Sequence, residues 1–106
     1  MRQFAVIGLG SFGLRVAKIL AQAGFAVLAV DNNPARIDLI ENDVTQAVQL
    51  DISVPGALDR LGLNDIDTAV VSLGNNFEAS VLVTMSLKDL EINNIIVKGI
   101  SREHKK

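Results

Sequence analysis

Phe4-Ala5-Val6-Ile7-Gly8-Leu9-Gly10-Ser11-Phe12-Gly13 decides the fold, together with the run Val27-Leu28-Ala29-Val30 and the Asp31 that closes it. A short apolar strand runs into G-x-G-x-x-G. A helical stretch and a second strand ending in an acid then follow, in the order of a dinucleotide-binding βαβ unit. Gly8 permits the tight turn off the strand, Gly10 lets a diphosphate approach the backbone, and Gly13 lets the helix pack close to the sheet. The free N–H groups at the helix start, with the positive end of its dipole, suit an anion. Asp31 has acceptors for both hydroxyls of a ribose and the charge to repel a 2′-phosphate. Glycine turns after strands are common, so the order of strand, loop, helix and acid gives the pattern its meaning.

With 106 residues the chain is long enough for one domain and too short for a second, substrate-binding one. Its 49% hydrophobic content and mean hydropathy of +0.35 suit a sheet covered on both faces. No apolar run approaches the roughly 20 residues of a membrane-spanning helix. Met1-Arg2-Gln3 leads straight into a strand, which predicts no signal peptide. The absence of cysteine excludes a disulfide framework and thiolate metal ligation, and suits a cytoplasmic setting. A net charge of −2 and aromatics limited to four Phe argue against nucleic acid as a partner. The basic group Arg102, His104, Lys105 and Lys106 reads as a solvated tail or helix start.

Periodicity predicts strands at Phe4–Gly8, Ala26–Val30, Thr45–Leu50, Thr68–Leu73 and Asn94–Lys98. Between the first two, Phe12, Val16, Ile19, Leu20 and Ala23 form an inward helical stripe, with Arg15, Lys18 and Gln22 outward, and Gly24 ends the helix. Asn33-Pro34 reads as an N-cap with Pro at N1, with Ile37 and Ile40 inward. Ser53 is expected to cap a short helix through Leu61 to Gly62. Asn75-x-x-Glu78 resembles a capping box that opens a helix to about Leu90. That helix is apolar on more than one side: Ala79, Leu82, Val83, Leu87 and Leu90 make one face, and Val81 and Met85 lie off it. Such a surface suits either a subunit contact or cover by a further segment.

Strands alternating with helical segments give an α/β fold, a Rossmann-like doubly wound parallel sheet of order 3-2-1-4-5, in one domain over residues 1–106. Its switch point lies between strands one and four, so the crevice is walled by Gly8–Gly13 and Leu73–Asn76. A sixth unit is expected at Ser101-Arg102-Glu103, which predicts a domain cut short after strand five.

Phe4–Gly13, Val30-Asp31-Asn32-Asn33, Asp51 after strand three, Val71-Ser72-Leu73-Gly74-Asn75-Asn76 and Asn94–Gly99 together resemble the nucleotide-binding lobe of RCK domains. These are the TrkA-N type regulatory domains of potassium channels and transporters, and the resemblance spans nearly the whole chain. It implies that Gly8, Gly10, Ser11, Phe12 and Gly13 line the phosphates, and that Asp31 binds the adenosine ribose with Asn32 beside it. Asp51 and Ile52 would flank the adenine, Asp51 accepting from its exocyclic amine. Leu73 and Gly74 would form the floor, and Lys98 would face the phosphates or the second ribose. On spacing alone Asp51 reads as a turn acid and Lys98 as a solvated strand end. Two departures matter. Leu50 precedes Asp51 where family members often carry Gly, and Ser11 stands where the ATP-binding branch carries an Arg that clamps terminal phosphates. A hydroxyl offers one neutral hydrogen bond in place of a charge-assisted fork. That tilts the implied ligand toward NAD or NADH, with ATP, ADP or AMP still compatible.

Hydride transfer to or from a hydroxyl usually needs a general acid or base beside the nicotinamide. The chain has no Tyr and no Cys, its one His is His104, and no His/Cys/carboxylate cluster has metal-ligand spacing. Asp65 and Asp67 read as solvated turn carboxylates. The expectation is a ligand sensor without catalytic or metal-binding residues. In the resembled family such lobes form homodimers and assemble into cytoplasmic rings at the inner face of the membrane. There they gate a membrane-embedded potassium channel or transporter without inserting into the bilayer themselves. The competing expectation is the cofactor-binding half of a small NAD-dependent dehydrogenase.

Overall fold

The central strands are apolar on both faces, so both faces need cover. β1 (Gln3–Ile7) lies between β2 (Ala26–Asp31) and β4 (Thr68–Val71), with β3 (Gln46–Gln49) beside β2 and β5 (Asn94–Val97) beside β4. All four pairings are parallel, and the order β3-β2-β1-β4-β5 is the one the sequence predicts. This computed structural model describes residues 2–99. The basic group from Arg102 to Lys106 and the expected sixth unit lie outside the described residues.

Alternation along the strands divides the core in two. Ala5, Ile7, Leu28, Val30, Ala69 and Val71 face Val83 and Leu87 of α3 (Phe77–Asp89), with Leu58 and Leu63 from the short 3-10 segments Ala57–Leu61 and Leu63–Asp65. Val6, Val27, Ala29 and Val70 face Ala17 of α1 (Ser11–Gln22) and Ile37 and Ile40 of α2 (Pro34–Ile40). Edge strand β5 keeps much of its surface open, with Ile96 and Val97 exposed.

Several local expectations are corrected. α1 turns Gly13 and Ala17 to the sheet, while Phe12 and Ile19 are exposed. The small-residue side faces inward because Gly13 approaches the Gly8 backbone too closely for a larger side chain. α3 is capped by Asn76, whose Oδ1 accepts from the Ala79 N–H at 3.0 Å, and not by Asn75. The helix starts one residue later than expected, so Glu78 has no position from which to close a capping box. On α3, Ser80, Val83 and Leu87 are buried; Leu82, Val81 and Met85 are all exposed. Ser53 caps nothing: Gly56, at φ +76°, precedes the 3-10 turn. Asp67 is half-buried, and its Oδ2 accepts from the Gln3 N–H at 2.8 Å, fixing the start of β1 at the opposite end of the strands from the crevice. The N-cap at Asn33 is as expected, its Oδ1 accepting from the Ala35 N–H at 2.9 Å.

The loop glycines do different work. Gly8 has φ +99°, and a Cβ there would lie 1.9 Å from the Ser72 carbonyl oxygen. A Cβ on Gly13 would lie 1.9 Å from the Gly8 carbonyl oxygen. Gly10 has φ −68°, and a Cβ on it would meet nothing within 4 Å. Gly8→Ala should therefore cost about 3 kcal/mol or more, from backbone strain and overlap together. Gly10→Ala, at an N-cap, should cost about 1 kcal/mol or less. Urea denaturation of the two variants checks this, and equal losses would contradict the division.

Candidate functional site

The C-terminal ends of β1, β2 and β4 converge through backbone bonds. The Gly8 N–H donates to the Val30 carbonyl and the Ser72 N–H to the Ile7 carbonyl, each at 2.8 Å. Above them opens a cleft of about 630 Å³, within the range of small-molecule sites. It lies at the switch point between β1 and β4, where open α/β sheets take their ligands.

Of the residues singled out from the sequence, Gly8, Gly10, Asp31, Asn32, Asp51, Ile52, Leu73 and Gly74 line this cleft. Gly13 is buried beneath the loop against Gly8 and serves packing instead. Ser11 and Phe12 open α1 with exposed side chains and do not line the cleft. Lys98 does not line it either: its Nζ stands 5.5 Å from the Phe12 ring centroid, and it borders a second groove with Val81 and Met85. Lys98 follows the last residue of β5 and stands between that groove and the exposed Phe12 at the start of α1.

Asp31 has more to do than the sequence suggests. Its Oδ2 accepts from the Leu9 N–H at 2.7 Å and its Oδ1 from the Asn33 N–H at 2.8 Å. Each oxygen keeps a lone pair for a ligand hydroxyl. Leu9 itself is fully buried, so the loop is anchored from below as well. From α2, Arg36 Nη1 reaches the Leu9 carbonyl oxygen at 3.3 Å and lines the cleft. Reading the sequence for the glycine motif and strand-end acids passes over Arg36. The available signal was the Asn33-Pro34 cap, which sets the first turn of the next helix beside the loop. Asn76 lines the cleft as part of the expected Leu73–Asn76 wall, and Asn33, Ser72 and Ala79, to which the sequence assigns no ligand role, line it as well.

Gly10 gives a direct test of fit for an anionic ligand. Neither its φ nor any neighbouring atom requires glycine, so its missing side chain leaves open space above the backbone. It is the N-cap of α1, which has no side-chain cap and no acid in its first turn. Uncapped N–H groups beside open backbone suit a phosphate.

Asp51 sits in a tight turn. The Ser53 hydroxyl donates to its Oδ1 at 2.6 Å and the Ser53 N–H to the same oxygen at 3.0 Å. The hydroxyl first, then the amide, hold the carboxyl below the ordinary carboxylate range. Both bonds fall on Oδ1, so Oδ2 is the oxygen available to an outside donor.

The family model of the TrkA-N domain matches residues 4–106. The chain is 40% identical over 105 residues to the Ktr system potassium uptake protein A of Bacillus subtilis (strain 168), covering 99% of this chain and 47% of that protein. It is 38% identical over 101 residues to the Ktr system potassium uptake protein A of Vibrio alginolyticus, covering 95% and 46%. The chain thus spans about half the length of the curated relatives it matches. Among solved structures, the NAD(P)-binding domain of an exopolyphosphatase-related protein from Archaeoglobus fulgidus aligns with TM-score 0.79 at 26% identity, covering 99% of this chain and 78% of that one. The TrkA-N domain of the inner membrane protein ybaL from Escherichia coli aligns with TM-score 0.75 at 16% identity, over 91% of this chain and 71% of that one, a likeness of fold.

The turn at Asp51 makes a titration prediction. Ser53→Ala removes the stronger donor to the ionised form and keeps the amide, so the Asp51 pKa should rise toward the free-carboxylate value of about 3.9 without fully reaching it. Carboxyl-carbon NMR over the acidic range checks this. An unmoved Asp51 would show that the hydroxyl does not set its titration.

Proposed function

The chain belongs to the TrkA-N domain family, and on that premise we propose that it is a nucleotide-binding regulatory lobe of a potassium uptake system. The carrying observation is Gly10, whose open face adjoins an uncapped helix start and lies in the same cleft as Asp31. A diphosphate at Gly10 and the α1 amides would leave a ribose for Asp31 and Asn32, and an adenine for Asp51 and Ile52 above Leu73 and Gly74. NAD or NADH is the favoured ligand, because Ser11 brings no charge to terminal phosphates. ATP, ADP and AMP share the adenosine half.

The reading is regulatory and not catalytic. The chain has neither Tyr nor Cys for acid–base or covalent work, and its one His is at position 104. Relatives named as Ktr potassium uptake proteins support a role beside a membrane-embedded potassium transporter or channel. Among the described residues no helix is long and apolar enough to cross a membrane, and the pore is assigned to a partner. Homodimers built into a cytoplasmic ring at the inner face of the membrane would transmit the signal. A nucleotide that binds two ring geometries unequally shifts the balance between them. The exposed Phe77, Val81 and Met85 on α3 offer an apolar face for the subunit contact.

Calorimetry tests the binding. Wild type should take up NADH, and Gly10→Val should abolish uptake while leaving the circular dichroism native. Asp31→Ala should also lose binding, with about 1–3 kcal/mol of stability lost because the Leu9 N–H loses its acceptor. NADPH should bind about tenfold more weakly than NADH, from its 2′-phosphate meeting the Asp31 carboxylate. No uptake of NAD(H) or any adenine nucleotide at millimolar concentration, or dehydrogenase turnover of bound NADH, would overturn the reading.

A further inference from the structure

We propose that Arg36 is the cation that holds the ligand's 5′-phosphates, so that the cleft selects nucleotides over nucleosides. This rests on the nucleotide reading above and assigns its phosphate specificity. The charged groups lining the cleft are Asp31, Asp51 and Arg36. Two carboxylates alone make a field hostile to a diphosphate. Ser11 is neutral, and Lys98, over the Phe12 ring, is not among the residues that line the cleft, which leaves Arg36 as the cation in its wall.

Arg36 is well prepared for the role. Its backbone is fixed by the Asn33 cap and by the burial of Ile37 and Ile40 on the same helix. Its guanidinium spends one donor on the Leu9 carbonyl, at 3.3 Å, beyond the usual hydrogen-bond range of about 2.7–3.2 Å. The rest of the five-donor fork stays available. A phosphate oxygen offers a charge-assisted, bidentate partner and outcompetes a neutral carbonyl at the edge of range. Leu9 lies between Gly8 and Gly10, so the guanidinium reaches the glycine loop; the Leu9 N–H also bonds Asp31, so the 2′-monophosphate arm of the test separates the two phosphate positions.

The test compares adenosine, ADP and adenosine 2′-monophosphate by calorimetry, with wild type, Arg36→Gln and Arg36→Lys. Arg36→Gln should weaken ADP about tenfold or more and leave adenosine within about twofold. Adenosine 2′-monophosphate should change no more than adenosine does. Arg36→Lys keeps the charge and loses the fork, and should recover part of the ADP affinity. If the Gln variant does not fold, the Lys variant carries the comparison, with ADP weakened and adenosine unchanged. Equal losses for adenosine and ADP would reduce Arg36 to a support for Leu9 and overturn the proposal. An unchanged ratio, or a loss confined to the 2′-monophosphate, would also overturn it. A wild type that binds none of the three would sink the nucleotide reading itself, an outcome distinct from failure at Arg36 alone.

Discussion

The hydrogen bond from the Leu9 N–H to Asp31 Oδ2, at 2.7 Å, holds the cleft together. It ties the turn after β1 to the end of β2, and gives the N–H of the buried Leu9 the partner it needs. The other Asp31 oxygen accepts from Asn33, which starts α2, and Arg36 of α2 returns to the Leu9 carbonyl. The result is a closed circuit through Asp31, Asn33, Arg36 and Leu9. Gly8 pressed against Ser72 adds β4 to it. A ligand meeting such a site would not have to order the loop first, and that saves part of the usual cost of binding.

α3 links the cleft to the rest of the surface. Asn76 and Ala79, at its start, line the cleft, while Phe77, Val81 and Met85 line the outer groove with Val97 and Lys98. One rigid element thus borders both surfaces, as the proposed coupling of ligand to subunit geometry would need. The same helix is packed on the sheet by Val83 and Leu87, so it can move only with β4 and β5 or against a well-filled core.

Much of this was legible in the sequence because strong local signals agreed with the global fold. The apolar runs point to five strands, their alternation with helical segments to the order 3-2-1-4-5, and that order to the switch point. Misreadings came where two local signals competed or where tertiary contact overrode periodicity. Phe12 and Ile19 fit a helical stripe, yet the contact between Gly13 and Gly8 rolled the small side of α1 inward. Asn75 and Asn76 are both good caps, and the helix start chose between them. Ser53 can cap a helix or serve an aspartate turn, and the neighbouring Asp51 carboxylate took it. Arg36 carried no motif, because its reach to Leu9 depends on how α2 docks. Lys98 rests on the resemblance, and its neighbours Phe12, Val81 and Met85 are visible only in three dimensions.

The most direct test of the central claim is an amide NMR titration of this chain with NADH. The account predicts the largest shifts at Leu9, Gly10 and Ser11, with further shifts at Asp31–Asn33 and Asp51–Ser53. Gln3 and Asp67, at the opposite end of the strands from the cleft, should stay unmoved. Shifts concentrated at Val81, Met85 and Val97 while Gly10 stays still would place the ligand in the outer groove and contradict the account.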